Sequence, residues 1–133
     1  MKILLILLTL LSSTLFAELK HTYLTQKVLD SGIPIVDIRT VAEWKHTGIL
    51  KGSIPIQFFD ERGKYSIAAF LKELNEKVDT KKPFALICRT GSRTRMVASF
   101  LSDTYKYDVT NITGGIMIHQ MDYKKLPFIR YTK

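Results

Sequence analysis

The sequence predicts an α/β fold in which a small, mainly parallel central sheet is flanked by helices. Short apolar segments typical of buried strands alternate along the chain with segments whose apolar residues have helical spacing. The only cysteine, Cys88, directly follows the apolar segment 83–87, which places it at the carboxyl end of a predicted strand. Open α/β sheets bind their ligands at this edge, so we expect an active-site loop there.

The first half of the chain is predicted to contain two helices and two short strands. Helical spacing of apolar residues predicts a helix over residues 19–29, and residues 35–38 are typical of a short buried strand. Thr40 and Glu43 fit a capping box, so a short helix is predicted to begin there. A further brief strand is predicted over residues 52–56.

The second half repeats this alternation. Residues 68–78 are amphipathic, which is typical of a surface helix, and the strand before Cys88 follows them. A strand over residues 107–112 and a short helix opened by Gly114-Gly115 come last. Between Cys88 and the strand over residues 107–112 lies a helix whose inner face is predicted to carry four apolar residues: Met96, Val97, Phe100 and Leu101.

Residues 1–17 have the pattern of a secretory signal peptide. Lys2 precedes an apolar stretch that is too short for a comfortable membrane span, and the segment ends at the small residue Ala17. We therefore expect cleavage after Ala17 and a periplasmic or secreted protein with no stable membrane insertion. The mature chain would be a single domain, residues 18–133. An uncleaved N-terminal anchor is the alternative, because Leu15 is larger than the usual residue at its position.

The chain is strongly basic, with 20 basic and 12 acidic side chains and a formal net charge of +8. Such an excess suits nucleic acid, anionic lipid or small anions. Aromatic residues are not interleaved with the basic residues as in single-strand binders, so we expect no nucleic-acid partner. His46 and His119 have no metal-ligand spacing around them, and neither a metal site nor a cofactor is predicted.

Cys88 begins the segment Cys88-Arg89-Thr90-Gly91-Ser92-Arg93-Thr94, a short loop that leads into a predicted helix. Backbone N–H groups of such a loop and the helix N-terminus supply positive potential, and the two arginines of the loop add full charges. These features favour the thiolate over the thiol, which predicts a nucleophile. The alternative is a buried structural cysteine beside a solvated basic turn.

The spacing of the arginines separates two thiolate chemistries. Phosphatases of the cysteine type need an arginine six positions after the nucleophile, and Thr94 stands there in this chain. The loop is therefore predicted to be too small for a tetrahedral phosphate and suited to a single sulfur atom held on Cys88 as a persulfide. A cysteine phosphatase or arsenate reductase stays as a less favoured alternative.

Four segments carry a resemblance that spans nearly all of the predicted mature chain. They are residues 36–39 with Glu43-Trp44, residues 48–56, the loop 88–94, and residues 111–115 ahead of Leu126-Pro127. In this order and spacing the chain resembles the rhodanese family of sulfurtransferases, in its exported single-domain form. Leu50, Ser53 and His119 depart from the family's usual residues, and these departures concern the substrate more than the reaction class.

The resemblance implies a rhodanese-like fold and an enzyme of the thiosulfate sulfurtransferase type. Cys88 would take the outer sulfur of a small anionic donor such as thiosulfate, and a thiol or protein acceptor would then remove it. Residues 89–93 would stabilise the persulfide through their amides. A rhodanese-fold module that binds a partner without catalysis is the alternative.

The loop side chains have predicted roles of their own. Gly91 is expected where the backbone needs a positive φ. Ser92 and Thr94 are expected to cap the following helix rather than donate to the sulfur. Arg89 and Arg93 are expected to attract the anionic donor, with Arg93 alternatively turned inward to brace the loop.

Residues outside the loop are expected to be structural. Asp37 and Arg39 are predicted to form an ion pair that braces the fold, rather than a catalytic acid–base pair. Trp44 is predicted to belong to the core. A packed C-terminal tail is predicted for three aromatic residues: Tyr123, Phe128 and Tyr131.

Overall fold

The computed structural model describes residues 19–120 and 126–133 of the chain. Strands and helices alternate through these residues, as the sequence predicts. In chain order the elements are β1 (Lys20–Tyr23), α1 (Gln26–Asp30), β2 (Ile35–Asp37), α2 (Val41–Thr47), β3 (Ile49–Leu50), β4 (Ile54–Pro55), α3 (Ile67–Lys77), β5 (Phe84–Ile87), α4 (Ser92–Tyr105), β6 (Val109–Thr113), α5 (Met117–Gln120) and β7 (Phe128–Ile129).

The main sheet contains five strands in the order β1-β6-β5-β2-β4. Every neighbouring pair in it is parallel, and β5 lies at the centre between β6 and β2. All residues of β2 and β5 are buried, as their apolar sequences predict for strands covered on both faces. The predicted class, α/β with a mainly parallel central sheet and flanking helices, is confirmed.

Alternation along β5 divides the core into two layers. Phe84, Leu86 and Cys88 belong to the layer that includes residues of α3 and α4, whereas Ala85 and Ile87 belong to the opposite layer. None of these five residues has exposed surface. Burial of each large apolar side chain stabilises the fold by about 1.5–3 kcal/mol, so the strand that leads to the cysteine is firmly held.

The predicted capping box of α2 is confirmed. Thr40 Oγ1 accepts a hydrogen bond from the Glu43 N–H at 3.2 Å, and Glu43 Oε2 accepts one from the Thr40 N–H at 2.9 Å. The helix buries Trp44, whose ring centroid lies 5.2 Å from that of Tyr131 in the C-terminal tail. Trp44 is therefore a core residue, as predicted, and α2 is anchored at both its start and its middle.

The helix predicted over residues 19–29 is wrong in its first half. Residues 20–23 form β1, which pairs with β6, and only residues 26–30 are helical, behind a cap at Thr25. Tyr23, which helical spacing places inward, has 56% of its surface exposed. The strand forms because a partner far along the chain offers a free edge, and local periodicity carries no information about that partner.

Met96 was predicted for the inner face of α4, but it is 55% exposed. The buried residues of this helix recur at intervals of three and four, as a helical face requires. They are Thr94, Val97, Ala98, Leu101 and Ser102. Two of the five are polar, so a search for apolar residues alone rotates the predicted face toward Met96.

The two ends of the chain are described in part. The predicted signal segment and Tyr123 lie outside the described residues. In the tail, Phe128 packs partly buried against the core, and β7 pairs with β3 in a two-stranded antiparallel sheet that was not predicted. Two-residue strands are too short to show a period. Within the described ranges, no helix has the length and apolar character needed to cross a membrane.

Candidate active site

Cys88 follows β5 at the centre of the sheet edge where the parallel strands end. Its side chain is a free thiol with no exposed surface. The loop after it leads directly into α4, a helix of 14 residues that begins at Ser92. The sulfur therefore lies near a helix N-terminus, where negative charge is favoured.

Gly91 gives the loop the shape that brings a backbone donor to the sulfur. Its φ is 90°, in the left-handed region that residues with side chains rarely adopt. The Gly91 N–H donates a hydrogen bond to Cys88 Sγ at 3.1 Å. A Cβ atom on Gly91 would lie 2.7 Å from the backbone nitrogen of Gly114, so the available space also requires glycine.

The turn after β6 holds the first two residues of the loop. The Ile116 N–H donates to the Cys88 carbonyl oxygen at 3.0 Å, and the Met117 N–H donates to that of Arg89 at 2.9 Å. Gly115 permits this approach, because a Cβ atom there would lie 2.3 Å from the Cys88 carbonyl oxygen. The carbonyl oxygens of Cys88 and Arg89 are thus both bound by the backbone that follows β6, which fixes the start of the loop.

Thr94 contacts the sulfur and does not cap α4. Its Oγ1 lies 3.5 Å from Cys88 Sγ and donates to Asn111 Oδ1 at 2.6 Å. The cap position belongs to Gly91, which has no side chain to form a capping bond, and Ser92 pairs with another loop hydroxyl. The prediction that Ser92 and Thr94 cap the helix is therefore wrong, because both already lie in its first turn.

Arg93 is turned toward α2 and binds Glu43 with both terminal nitrogens. The two nitrogen–oxygen distances are 2.8 and 2.7 Å, and each side chain is 26% exposed. Burial alone would raise the pKa of Glu43, but the hydrogen bonds from Arg93 and from the Thr40 N–H outweigh it and lower the pKa to about 2. Glu43 raises the pKa of Arg93 in turn, and the nearby Cys88 adds to this effect. The ion pair between Arg93 and Glu43 therefore joins the first turn of α4 to α2.

Glu43 should make the folded state sensitive to acid. Its pKa is about 2 in the folded chain and ordinarily 4.5, so the added stability is fully present above pH 4.5 and is lost as the pH falls toward 2. We expect the free energy of unfolding to fall by about 1–3 kcal/mol through this group, and the E43Q variant to lack that part of the fall. Urea denaturation at about pH 6 and about pH 3 measures both.

The matched control for this prediction is Glu73→Gln. Glu73 pairs with Lys77 on the exposed surface of α3, where its side chain is 43% exposed, so its ion pair contributes little. E73Q should keep the acid sensitivity of the wild type. Full acid sensitivity in E43Q as well would contradict the prediction.

Arg89 is the loop arginine that points to solvent. Its side chain is exposed, and no ion pair among the described residues includes it. It lines a cleft of about 450 Å³ beside α2, together with Glu43 and His46. In the described part of the chain, no group of three or more His, Cys, Asp or Glu residues could hold a metal ion.

Asp37 and Arg39 form a buried ion pair at the end of β2. Arg39 Nη2 donates to Asp37 Oδ2 at 2.7 Å, and neither residue is more than 1% exposed. Arg39 also donates to Thr47 Oγ1 at 2.7 Å and to the Gly48 carbonyl oxygen at 2.8 Å. These contacts join the end of β2 to the end of α2, and no hydrogen bond among the described residues joins the pair to Cys88.

Sequence reasoning missed two residues of this site. Asn111 is only 3% exposed in the structure. Its signal in the sequence is an amide within a strand of β-branched residues, Val109, Thr110, Ile112 and Thr113. His21 lies beside Asn111, with Nδ1 3.1 Å from Asn111 Nδ2. No signal in the sequence could have found His21, since its place depends on the unpredicted pairing of β1 with β6.

Sequence comparisons support the expected family. The family model described as "Rhodanese-like domain" matches residues 18–118. An uncharacterised protein of Rickettsia prowazekii is 32% identical over 98 residues, which are 71% of this chain and 78% of that protein. Rhodanese-like domain-containing protein 17 of Arabidopsis thaliana is 29% identical over 93 residues, 68% of this chain and 60% of the plant protein.

Solved structures share the fold. A rhodanese-like domain protein from Staphylococcus aureus has a TM-score of 0.59 at 23% identity, covering 83% of this chain and 98% of its own. A protein of M. tuberculosis has a TM-score of 0.60 at 18% identity, with 74% and 80% covered. A protein of Rhodopseudomonas palustris described as a possible tyrosine phosphatase has a TM-score of 0.53 at 24% identity, with 77% and 76% covered.

Proposed function

This chain belongs to the rhodanese-like domain family, and we propose that it is a sulfurtransferase in which Cys88 carries the sulfur atom between donor and acceptor. The family includes sulfurtransferases as well as domains without catalytic activity. One observation carries the proposal for this chain: the Gly91 N–H donates to Cys88 Sγ at 3.1 Å, next to the start of α4. A backbone donor and a helix N-terminus at the sulfur both stabilise a thiolate or a persulfide anion.

The proposed reaction has two transfers. In the first, the Cys88 thiolate attacks the outer sulfur of thiosulfate, the sulfur–sulfur bond of the donor breaks, and sulfite leaves with the bonding electron pair. In the second, a thiol or cyanide attacks the outer sulfur of the Cys88 persulfide and releases the Cys88 thiolate. Each step exchanges one sulfur–sulfur bond for another bond to sulfur, so no external oxidant, reductant or cofactor is needed.

Arg89 is proposed to attract the anionic donor. The other loop arginine, Arg93, is neutralised by Glu43, whereas Arg89 is exposed and keeps its charge available to the cleft. A cation near the entrance raises the local concentration of an anion such as thiosulfate. Glu43, the carboxylate that also lines this cleft, opposes the donor little because its charge is paired.

Phosphate chemistry is less well supported. Thr94 occupies the position where cysteine phosphatases have their arginine, and its hydroxyl is bound within the protein. Arg93, one residue earlier, is held by Glu43 and faces α2. The described loop therefore offers no free guanidinium at the phosphatase position to bind a phosphoryl group in the bidentate manner that this chemistry uses. A binding module without catalysis is the second alternative, and it gives no reason for a backbone donor at the sulfur.

We also propose that the protein works outside the cytoplasm, after removal of residues 1–17. In an oxidising compartment an exposed thiolate readily attacks disulfides of other molecules, which leaves it in a mixed disulfide and releases a thiol from the partner. Cys88 has no exposed surface, so such reagents reach it slowly, and the single cysteine has no second thiol in the chain to pair with. Small sulfur donors are less restricted by this burial than folded proteins are.

The experiment that tests the sulfurtransferase proposal uses purified residues 18–133. The reduced protein is incubated with thiosulfate and its mass is measured, and then cyanide is added and thiocyanate is followed. We expect a gain of one sulfur atom that maps to Cys88 and is lost on addition of cyanide. Phosphatase activity is measured in parallel with p-nitrophenyl phosphate.

Two results would overturn the proposal. A folded, reduced protein that neither gains sulfur nor forms thiocyanate is not a sulfurtransferase of this kind. Turnover of p-nitrophenyl phosphate without sulfur transfer would instead favour the phosphatase alternative.

A further inference from the structure

A chain of hydrogen bonds runs from the buried sulfur to the protein surface. Cys88 Sγ lies 3.5 Å from Thr94 Oγ1, Thr94 Oγ1 lies 2.6 Å from Asn111 Oδ1, and Asn111 Nδ2 lies 3.1 Å from His21 Nδ1. Thr94 and Asn111 are buried, whereas His21 lies on the exposed edge strand β1, directly opposite Asn111. This hydrogen-bond chain thus connects the proposed nucleophile to a histidine, the residue type that most often serves as a proton switch near neutral pH.

The direction of these hydrogen bonds decides whether Cys88 Sγ donates a hydrogen bond to Thr94 Oγ1 or accepts one from it. A threonine hydroxyl has one hydrogen, and its two acceptors here are Asn111 Oδ1 at 2.6 Å and the Gly91 carbonyl oxygen at 3.2 Å. The shorter contact assigns the hydrogen to Asn111. Thr94 Oγ1 can then only accept from Cys88, an arrangement that suits the thiol form. At the far end the Asn111 amide presents its Nδ2 to His21 Nδ1, an arrangement that suits a neutral ring with its proton on Nε2.

Protonation of His21 reverses this direction. Both ring nitrogens of a charged histidine donate, so His21 Nδ1–H would face the Asn111 amide donor. The two ends of an amide have nearly the same size, and a half-turn of the Asn111 amide removes the conflict without moving its neighbours. Asn111 Oδ1 then accepts from His21, and Asn111 Nδ2 donates to Thr94 Oγ1. The Thr94 hydroxyl is left with two acceptors, the Gly91 carbonyl oxygen at 3.2 Å and Cys88 Sγ at 3.5 Å, and a charged sulfur is the stronger acceptor of the two.

We propose that His21 is a positioning residue, and that its protonation turns the Thr94 hydroxyl toward Cys88 and so favours the thiolate. The sulfur would then receive two donors, from Gly91 and from Thr94. This inference rests on the proposed function, because it concerns the reactivity of the same thiol. The proposal adds control of the Cys88 thiol by pH, which acts from outside the loop and requires no contact between His21 and the sulfur donor.

The charged groups around His21 come from α4, from α1 and from its own strand. Arg95 of α4 lines a cavity on one side of His21, and Lys27 of α1 lines one on the other. On the same strand, Lys20 is paired with Asp108 at 3.2 Å. Of these residue types, histidine is the one whose ordinary charge change falls near neutral pH.

The test uses two substitutions of His21, each of which fixes one direction of the hydrogen-bond chain. His21→Lys provides only donors and imitates the protonated ring, whereas His21→Glu, when ionised, provides only acceptors and imitates the neutral ring. The thiolate of the single cysteine is measured by its ultraviolet absorbance, with the C88S variant as the blank. At about pH 7 we expect the thiolate-to-thiol ratio of H21K to exceed that of H21E by roughly tenfold, as for one hydrogen bond to a charged group.

A third substitution separates the hydrogen-bond chain from the electric field. Lysine and glutamate differ in charge as well as in donors, and a field effect would act without Thr94. The same pair is therefore compared in a Thr94→Val background, which interrupts the chain and keeps both charges. The proposal requires the difference between H21K and H21E to shrink to a small fraction. The proposal is overturned if the difference between H21K and H21E persists in full in the Thr94→Val background. It is also overturned if H21K and H21E do not differ in the protein that retains Thr94.

A measurement on the unaltered protein covers the possibility that T94V does not fold, which thermal unfolding detects. Nitrogen NMR of the His21 ring and of the Asn111 side-chain amide is recorded over pH 5 to 8, together with the thiolate absorbance. The three signals should change with one midpoint. Titration of His21 with no change in the thiolate overturns the inference. The thiolate measurement involves no sulfur transfer, so it can succeed or fail independently of the proposed function.

Discussion

Replacing Cys88 by serine is expected to abolish sulfur transfer while the protein stays folded. A serine hydroxyl does not ionise in the range where a thiol does and cannot form a persulfide, so thiocyanate formation should fall at least about 10³-fold. The hydroxyl would occupy the place of the sulfur, with the Gly91 N–H as donor and Thr94 Oγ1 close by. Because these partners remain, the loss of stability should be about 1–2 kcal/mol at most. Thiocyanate assays and urea denaturation measure the two effects.

A relocated thiol is the matched control for this prediction. Met96 lies on the exposed side of the same helix, so the double variant Cys88→Ser/Met96→Cys keeps one thiol in the chain but removes it from the loop. It should be as inactive as the single variant, since an exposed thiol on α4 has no backbone donor aimed at it. Sulfur transfer at the rate of the wild type by either variant would show that the loop is not the site.

Replacing Asp37 by alanine is expected to give the largest loss of stability of any single substitution discussed. Among the described residues, Arg39 would keep two neutral hydrogen-bond partners, Thr47 and Gly48, and the charge of Glu43, which acts on it without an ion-pair contact. Removal of one member of a buried ion pair costs about 3–5 kcal/mol. A domain of this size has a total stability of about 5–15 kcal/mol, so part of the population could unfold at growth temperature. The shift in the urea midpoint, with an unchanged slope, measures the effect.

The double variant Asp37→Leu/Arg39→Met separates two contributions to stability: the cost of leaving the charge of Arg39 unpaired and the net stabilisation by the ion pair. Apolar side chains of similar volume remove both charges, and such replacements are often close to neutral. We expect the double variant to be much more stable than D37A. If D37A lost less than about 1 kcal/mol, the ion pair would not hold β2 to α2 as described.

Much of the fold could be predicted because its signals are local. The capping box at Thr40 needs only a threonine and a glutamate three residues apart, and β5 needs only four apolar residues before a change in composition. The same local information placed Cys88 at a strand end and ahead of a helix. Prediction failed for residues 20–23, whose conformation depends on pairing with β6, and for Met96, whose helix buries two polar residues.

The candidate site shows the same division. From the sequence alone came the proposal that Cys88 is a nucleophile, the loop around it, the need for glycine at position 91 and the preference for sulfur over phosphate chemistry, which remains a prediction. Only the tertiary structure decided that Arg93 binds Glu43, that Thr94 joins Asn111 instead of capping α4, and that His21 ends the hydrogen-bond chain. Residue type and spacing determine what a segment can do by itself. The direction of a hydroxyl or a guanidinium depends on partners supplied by distant strands and helices, and those partners meet only when the sheet has formed.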